Sequence, residues 1–320
     1  VSVQEIIDGV PYTRVWFYWR YDDGWRHVPP DYTFWGEVTT EQRSGVTVRY
    51  REVDADFGQA LAARVPDWIT SACAALSCGE LPPVSIEVIP DENLLTSWAV
   101  NNPWLLQVPS PYTVRARTDA PFDVNAQLAV SSLIADRLVA LVTQDMQPNY
   151  PADAYYLRPA VSSWLVGRFV ALNTNSFLIA SLAANYGDAA VGRLLAALRP
   201  DSSTVVLSEI TGMALEQSNL DWRDFLTWRL ATEADLLERG DETNFIALYD
   251  TRDENTRALA YQRLSARTPL RDLVVTAAVL ETGVDGLPLL RAQAALNSDA
   301  SAVQQEVFFR LVDGSWRRIN

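Results

Sequence analysis

Lysine is absent from this 320-residue chain: all 26 basic residues are arginine. That excludes a lysine Schiff base, a phosphate-binding P-loop lysine and every other mechanism built on an ε-ammonium. Histidine occurs once, as His27, so no site needing two histidine ligands can form. Cysteine is limited to Cys73 and Cys78, too few, beside a single histidine, for a structural zinc site. Two readings of the pair stay open: a short local disulfide in an exported protein, or two small buried side chains in a reducing compartment. Long hydrophobic runs are also missing. No uninterrupted apolar stretch approaches the roughly 18–20 residues that cross a bilayer, so the sequence reads as free of membrane spans. There is no GxSxG nucleophile elbow and no glycine-rich nucleotide loop. The acidic run DTRDENTRA (250–258) lacks the central glycine and closing glutamate of a calcium loop and reads as a helix start.

What is plentiful is acid. Asp and Glu outnumber Arg 40 to 26, for a net charge of −14. Such a surface repels phosphate backbones and anionic lipid, which argues against nucleic acid and membrane surfaces as partners. The length allows two domains with separate cores. The start at Val1 reads as a mature or trimmed product. Tryptophan is abundant, with 11 residues, five of them before position 70. Most read as core. Trp98 and Trp104 flank the polar loop AVNNPW, whose aromatic walls and amides (Asn101, Asn102) suit a peptide or sugar cleft, with Trp164 as a further lining candidate.

The pattern of elements is α+β. Residues 13–21 and 25–28 read as strands joined at Asp22-Asp23-Gly24, a strong hairpin signal. Residues 45–52, 84–90 and 105–111 read as strands. Apolar residues from Phe57 to Leu76 recur at helical spacing, with Pro66 marking a kink or a restart. Helices are expected over 122–146, 154–173, 176–198 (broken at Tyr186-Gly187), 204–217, 221–238, 245–249 and 252–265. Strands are expected over 270–281, 286–296, 303–312 and 316–319.

Residues 41–235 resemble the gluzincin metallopeptidases of the peptidase-MA type. The likeness rests on element order and on VSIEVIP, VPSP, QLAVSSLIADRL, WLVGRF and LDWRDFLTWRL. The family carries HExxH on its long helix, two histidines one turn apart holding zinc and a glutamate serving as base, with a third ligand on a later helix. The matching positions here are Ser132, Leu133 and Asp136, and then Gly167. None can do that work, and no shift of register restores the set. The resemblance therefore implies a peptidase scaffold without metal, cofactor or catalytic residues, a pseudopeptidase acting by binding a protein, peptide or small molecule.

Residues 236–320 resemble the nuclear-transport-factor-2-like (SnoaL-like) domains, a cone of helices over a curved antiparallel sheet. The carrier is the closing VFFRLVDGSWRRI (307–319). The resemblance implies a small-molecule pocket, served by an acid such as Asp250 or Glu281, or a homodimer through the sheet. The opening FYWRYDDGWRHV (17–28) echoes that hairpin, so residues 1–40 read as the end of an earlier cone-like domain whose Trp16, Phe17, Trp19 and Trp25 must pack on the rest of the chain, since a lone hairpin is barely stable. Export, or anchoring on the outer face of a membrane, is the expected location.

Overall fold

The computed structural model describes residues 1–31, 33–296 and 305–320. The chain is α+β and divides into two compact units. The first comprises Val1–Ala74, Cys78–Leu138 and Leu165–Leu172, and the second Ala75–Ser77, Val139–Trp164 and Asn173–Asn320.

Two hairpins open the first unit. β1 (Ser2–Ile7) and β2 (Val10–Val15) turn at Asp8-Gly9, both at positive φ (52° and 78°), which a two-residue hairpin loop requires. β3 (Phe17–Tyr21) and β4 (Gly24–Val28) pair with each other and with no other strand among the described residues. The strand expected over 13–21 is thus two strands parted at Trp16, whose backbone bonds Val1 in both directions (2.8 and 2.6 Å) and closes β2 onto β1. The expected aromatic packing is met by Phe17, which stacks on Trp35 and meets Phe34 edge-on. Trp19 and Trp25 do not pack: they stay 66% and 67% exposed.

β5 (Val38–Arg43) and β6 (Val46–Arg51) form a third hairpin. β5 reads VTTEQR and has no apolar alternation, so periodicity does not announce it. From β6 the chain crosses through α1 (Ala55–Leu76) to β7 (Val84–Ile89). β8 (Ser97–Ala99) and β9 (Asn102–Pro109) complete a sheet of order β5-β6-β7-β9-β8. β6, β7 and β9 are parallel, and β8 runs antiparallel at the edge. α1 buries Phe57, Leu61 and Val65. It passes through Pro66 without a restart. Proline lacks the N–H that would serve the carbonyl one turn back, and the Arg43 guanidinium supports the same stretch by bonding the Ala63 carbonyl at 2.9 Å. Cys73 and Cys78 form a disulfide at the end of the helix. α2 (Pro111–Val114) leads to β10 (Ala116–Arg117), which pairs with β2.

α3 (Val124–Val142) and α4 (Ala154–Val170) follow. Length and composition alone would let α3 cross a membrane. Val130, Ile134 and Leu138 are nevertheless buried in the protein while Asp136 faces solvent, the pattern of a core helix.

The second unit adds α5 (Phe177–Tyr186), α6 (Asp188–Ala197), α7 (Val206–Thr211), α8 (Arg223–Arg239), α9 (Glu242–Ala247) and α10 (Glu254–Ala266). The helix expected over 204–217 stops at Gly212, whose φ of 68° caps α7, and only a single turn returns at Leu215–Gln217. Four antiparallel strands then run in sequence order: β11 (Leu273–Thr282), β12 (Pro288–Leu296), β13 (Gln305–Val312) and β14 (Ser315–Arg318). Residues 303–304 of the expected third strand lie outside the described residues. Trp222, Phe225, Phe309 and Trp316 are at most 2% exposed in this core.

The expected boundaries at 40 and 235 do not coincide with this division. The reason lies in α8. Its Arg229 donates to the Trp316 carbonyl at 2.8 Å, and its Glu233 receives Arg318 at 3.0 and 3.1 Å. These side chains are 3–6% exposed. Buried charges need partners, and those of α8 find them on β14.

Candidate functional site

Ser132 and Leu133 are half-buried on α3, and Asp136 is exposed. One helical turn separates Ser132 from Asp136, the spacing two metal ligands would use. They supply a hydroxyl and a lone carboxylate. Gly167, half-buried on α4, supplies no side chain, and its carbonyl accepts the Leu172 N–H at 3.0 Å. Among the described residues, no group of three or more His, Cys, Asp or Glu side chains is placed to hold a metal ion.

Leu133 contributes its backbone instead. Its carbonyl accepts the indole N–H of Trp98, on edge strand β8, at 3.2 Å. Arg137 lies over the same ring, 5.2 Å from its centre. Trp104, on β9, meets Trp98 edge-on at 6.3 Å. Asn101 is exposed in the turn between the strands and Asn102 is exposed at the start of β9, where its Oδ1 accepts the Trp104 N–H at 3.0 Å. The structure thus gathers Leu133, Trp98, Trp104 and Asn102 into one aromatic corner. Trp164 is 7% exposed on α4 and is assigned to the second unit. Aromatic faces, amides and an open strand edge are binding chemistry, with no paired base and nucleophile.

Behind this sheet lies a buried carboxylate. Asp54 is fully buried just past β6, where the Ser110 hydroxyl donates to Oδ1 at 2.5 Å. Oδ2 has no hydrogen-bond partner, and the buried Trp35 indole N–H close by has none of normal geometry. Burial pushes the Asp54 pKa up to about 6, against the Ser110 and Trp35 donors that favour the anion.

The second unit holds a cavity of about 600 Å³ between α4, α5, α8 and β11. Tyr156, Phe177 and Trp228 give it aromatic walls, and Val274 and Val275 line it from β11. Asp224, in the first turn of α8, reaches the start of α5. Its Oδ1 accepts the N–H groups of Leu178 and Phe225 at 3.1 and 3.0 Å, while Oδ2 takes only a longer 3.3 Å contact with Leu178. Carboxylates suit helix starts because the N–H groups there are otherwise unmet. Burial lifts the Asp224 pKa above the usual carboxylate range, opposed by the neighbouring Tyr156 hydroxyl and the backbone donors. Burial and that carboxylate together push Tyr156 well up.

Asp250 is not the raised base expected of a pocket acid. It is 1% exposed and clamped by Arg252 (2.8 and 2.9 Å) and Arg310 (3.4 Å), and the Arg252 hydrogen bond holds its pKa below the usual range. It anchors an ion-pair cluster. Glu281 sits half-exposed on β11 opposite Leu289 and does not line the cavity.

Sequence reasoning misses Asp54, Tyr156, Asp224 and Trp228. The run DWRDFLTWRL signalled an amphipathic helix with acids at its start, which was the one hint available for Asp224 and Trp228. Nothing local marks Asp54 or Tyr156. Comparison with protein-family models, with characterised proteins and with solved structures returns no match for this chain.

Proposed function

We propose that residues 41–235 carry a gluzincin-like scaffold that has lost its chemistry and works as a binding module, a pseudopeptidase. The observation that carries this reading is the contact at Leu133. Where the family resemblance would place the general base, α3 offers a backbone carbonyl to Trp98, and Trp104 and Arg137 gather around the same ring. Element order supports it: a parallel strand, a helical crossover, a second parallel strand, an antiparallel edge strand and a third parallel strand, all ahead of the long helix. An extended peptide adding to the open edge of β8, with side chains against Trp98 and Trp104, is the ligand class that fits. The four-stranded meander β11–β14 is the part on which the SnoaL-like reading of residues 236–320 rests. The Cys73–Cys78 disulfide supports an exported location, since such bonds persist in oxidising compartments.

The test is a paired assay of the purified chain: zinc by elemental analysis, and casein hydrolysis with and without a chelator. No stoichiometric metal and no cleavage are expected. Chelator-sensitive cleavage would overturn the reading.

A further inference from the structure

We propose that the second-unit cavity is a binding site for an aromatic organic cation, one positive charge carried on a ring-bearing skeleton. The inference does not depend on the pseudopeptidase reading, because the lining includes none of Ser132, Leu133, Asp136, Gly167, Trp98 or Trp104. It is also distinct from a pocket of the 236–320 segment, since most of the lining precedes residue 236.

Three observations select this ligand. The first is size and surface. About 600 Å³ walled by Tyr156, Phe177 and Trp228 suits a compact aromatic molecule. The second is charge. Two charged side chains line the cavity, Arg223 and Asp224, and Asp221 stands behind Arg223 as its ion-pair partner. Arg223 is already engaged, since it grips Asp221 at 2.7, 3.0 and 3.1 Å and lies 4.0 Å over the Phe177 ring. That pair is neutral as a unit. Asp224 forms no ion pair among the described residues, so the balance left at the cavity is one negative charge. The third is hydrogen-bonding capacity. Asp224 Oδ1 takes two backbone donors, whereas Oδ2 takes one longer backbone contact, and the buried Tyr156 hydroxyl that faces this carboxylate makes no hydrogen bond of normal geometry. A cation held among aromatic rings and touching a carboxylate gains from both attractions. An anion would meet Asp224 beside an Arg223 already neutralised by Asp221.

Benzyltrimethylammonium is the probe, because its charge is permanent and any response must come from the protein. Its neutral carbon isostere neopentylbenzene and the anion phenylacetate are the controls. Binding is followed by tryptophan fluorescence, which Trp228 should report, and by calorimetry. The cation should bind one per chain, about tenfold or more tighter than either control. Asp224→Asn, which keeps an acceptor for Leu178 and removes the negative charge facing the probe, should weaken it by about tenfold or more. Ala231→Trp, at an exposed position on the cavity lining, should block the probe without touching the core. If Asp224→Asn fails to fold, Ala231→Trp decides. Equal affinity for the neutral isostere, no binding of the cation, or undiminished binding by folded Asp224→Asn or Ala231→Trp would each overturn the proposal.

Discussion

The chain writes nearly the same hairpin twice and uses the two copies in opposite ways. Arg20, Asp23, Gly24, Trp25 and Arg26 echo Arg310, Asp313, Gly314, Trp316 and Arg317. Near the N-terminus the ribbon β3–β4 pairs with no other strand among the described residues, Trp25 is 67% exposed, and Arg26 meets Asp23 in an exposed ion pair and lies over the Tyr21 ring. Near the C-terminus, β14 joins a four-stranded sheet. There Trp316 is fully buried, its indole N–H bonds Thr204 Oγ1 at 2.8 Å, and its carbonyl takes Arg229. A local motif specifies a turn and two short strands. Whether its tryptophan is core or surface depends on what the rest of the chain lays against it.

The sharpest break of this comparison is removal of the two tryptophans. Trp316→Ala should cost about 3–5 kcal/mol, enough to unfold the second unit in mild urea, because it leaves a cavity and orphans Thr204. Trp25→Ala should change stability by less than about 0.5 kcal/mol. Urea unfolding of both variants measures the difference, and similar costs would show that the N-terminal ribbon packs in solution after all.

A somewhat smaller effect is expected from the charges behind β14. Glu233→Gln leaves Arg318 and Arg263 buried without their carboxylate and should cost about 3 kcal/mol. The matching change in the exposed hairpin, Asp23→Asn, should leave the urea midpoint unchanged.

Asp54 extends the contrast to pH. Its folded pKa of about 6 lies above the ordinary 3.8, so the folded state holds this proton more tightly than the unfolded chain does. Its contribution is therefore complete below pH 3.8 and is lost as pH rises through about 6, a change of about 3 kcal/mol at most. Asp54→Asn should make the first unit more stable than the parent at pH 8 and nearly equal to it near pH 4. A parent stability that climbs across this window by as much as the variant's would contradict the assignment. The mildest probe is chemical. N-bromosuccinimide should oxidise Trp19 and Trp25 well before Trp316, with peptide mapping as the readout.

Much of the fold is legible residue by residue. The spacing of Phe57, Leu61 and Val65 announces α1, the alternation in GVTVRYRE announces β6, and the turn at Asp313-Gly314 announces β13–β14. Asp8-Gly9 carries the same turn signal for β1–β2, although the short polar strands beside it alternate weakly. β5 is silent because a polar edge strand needs no apolar face. The absence of an HExxH motif is legible too, since His27 is the one histidine in the sequence. The aromatic corner is not. Trp98 and Leu133 are 35 residues apart in sequence, and their contact exists only once β8 lies against α3. The cavity draws on four elements, and Asp224 looks locally like any acid at a helix start. Even the division into units escapes periodicity, because α8 shows its allegiance only through the partners of Arg229 and Glu233.

The central claim, a metallopeptidase-like frame without its chemistry, is tested most directly by restoring the missing ligands. In the variant combining Ser132→His, Leu133→Glu, Asp136→His and Gly167→Glu, zinc content is measured by elemental analysis beside the parent chain. The account predicts about one zinc per folded variant chain and none in the parent. A folded variant that takes up no zinc, or a parent that already carries it, would contradict the account.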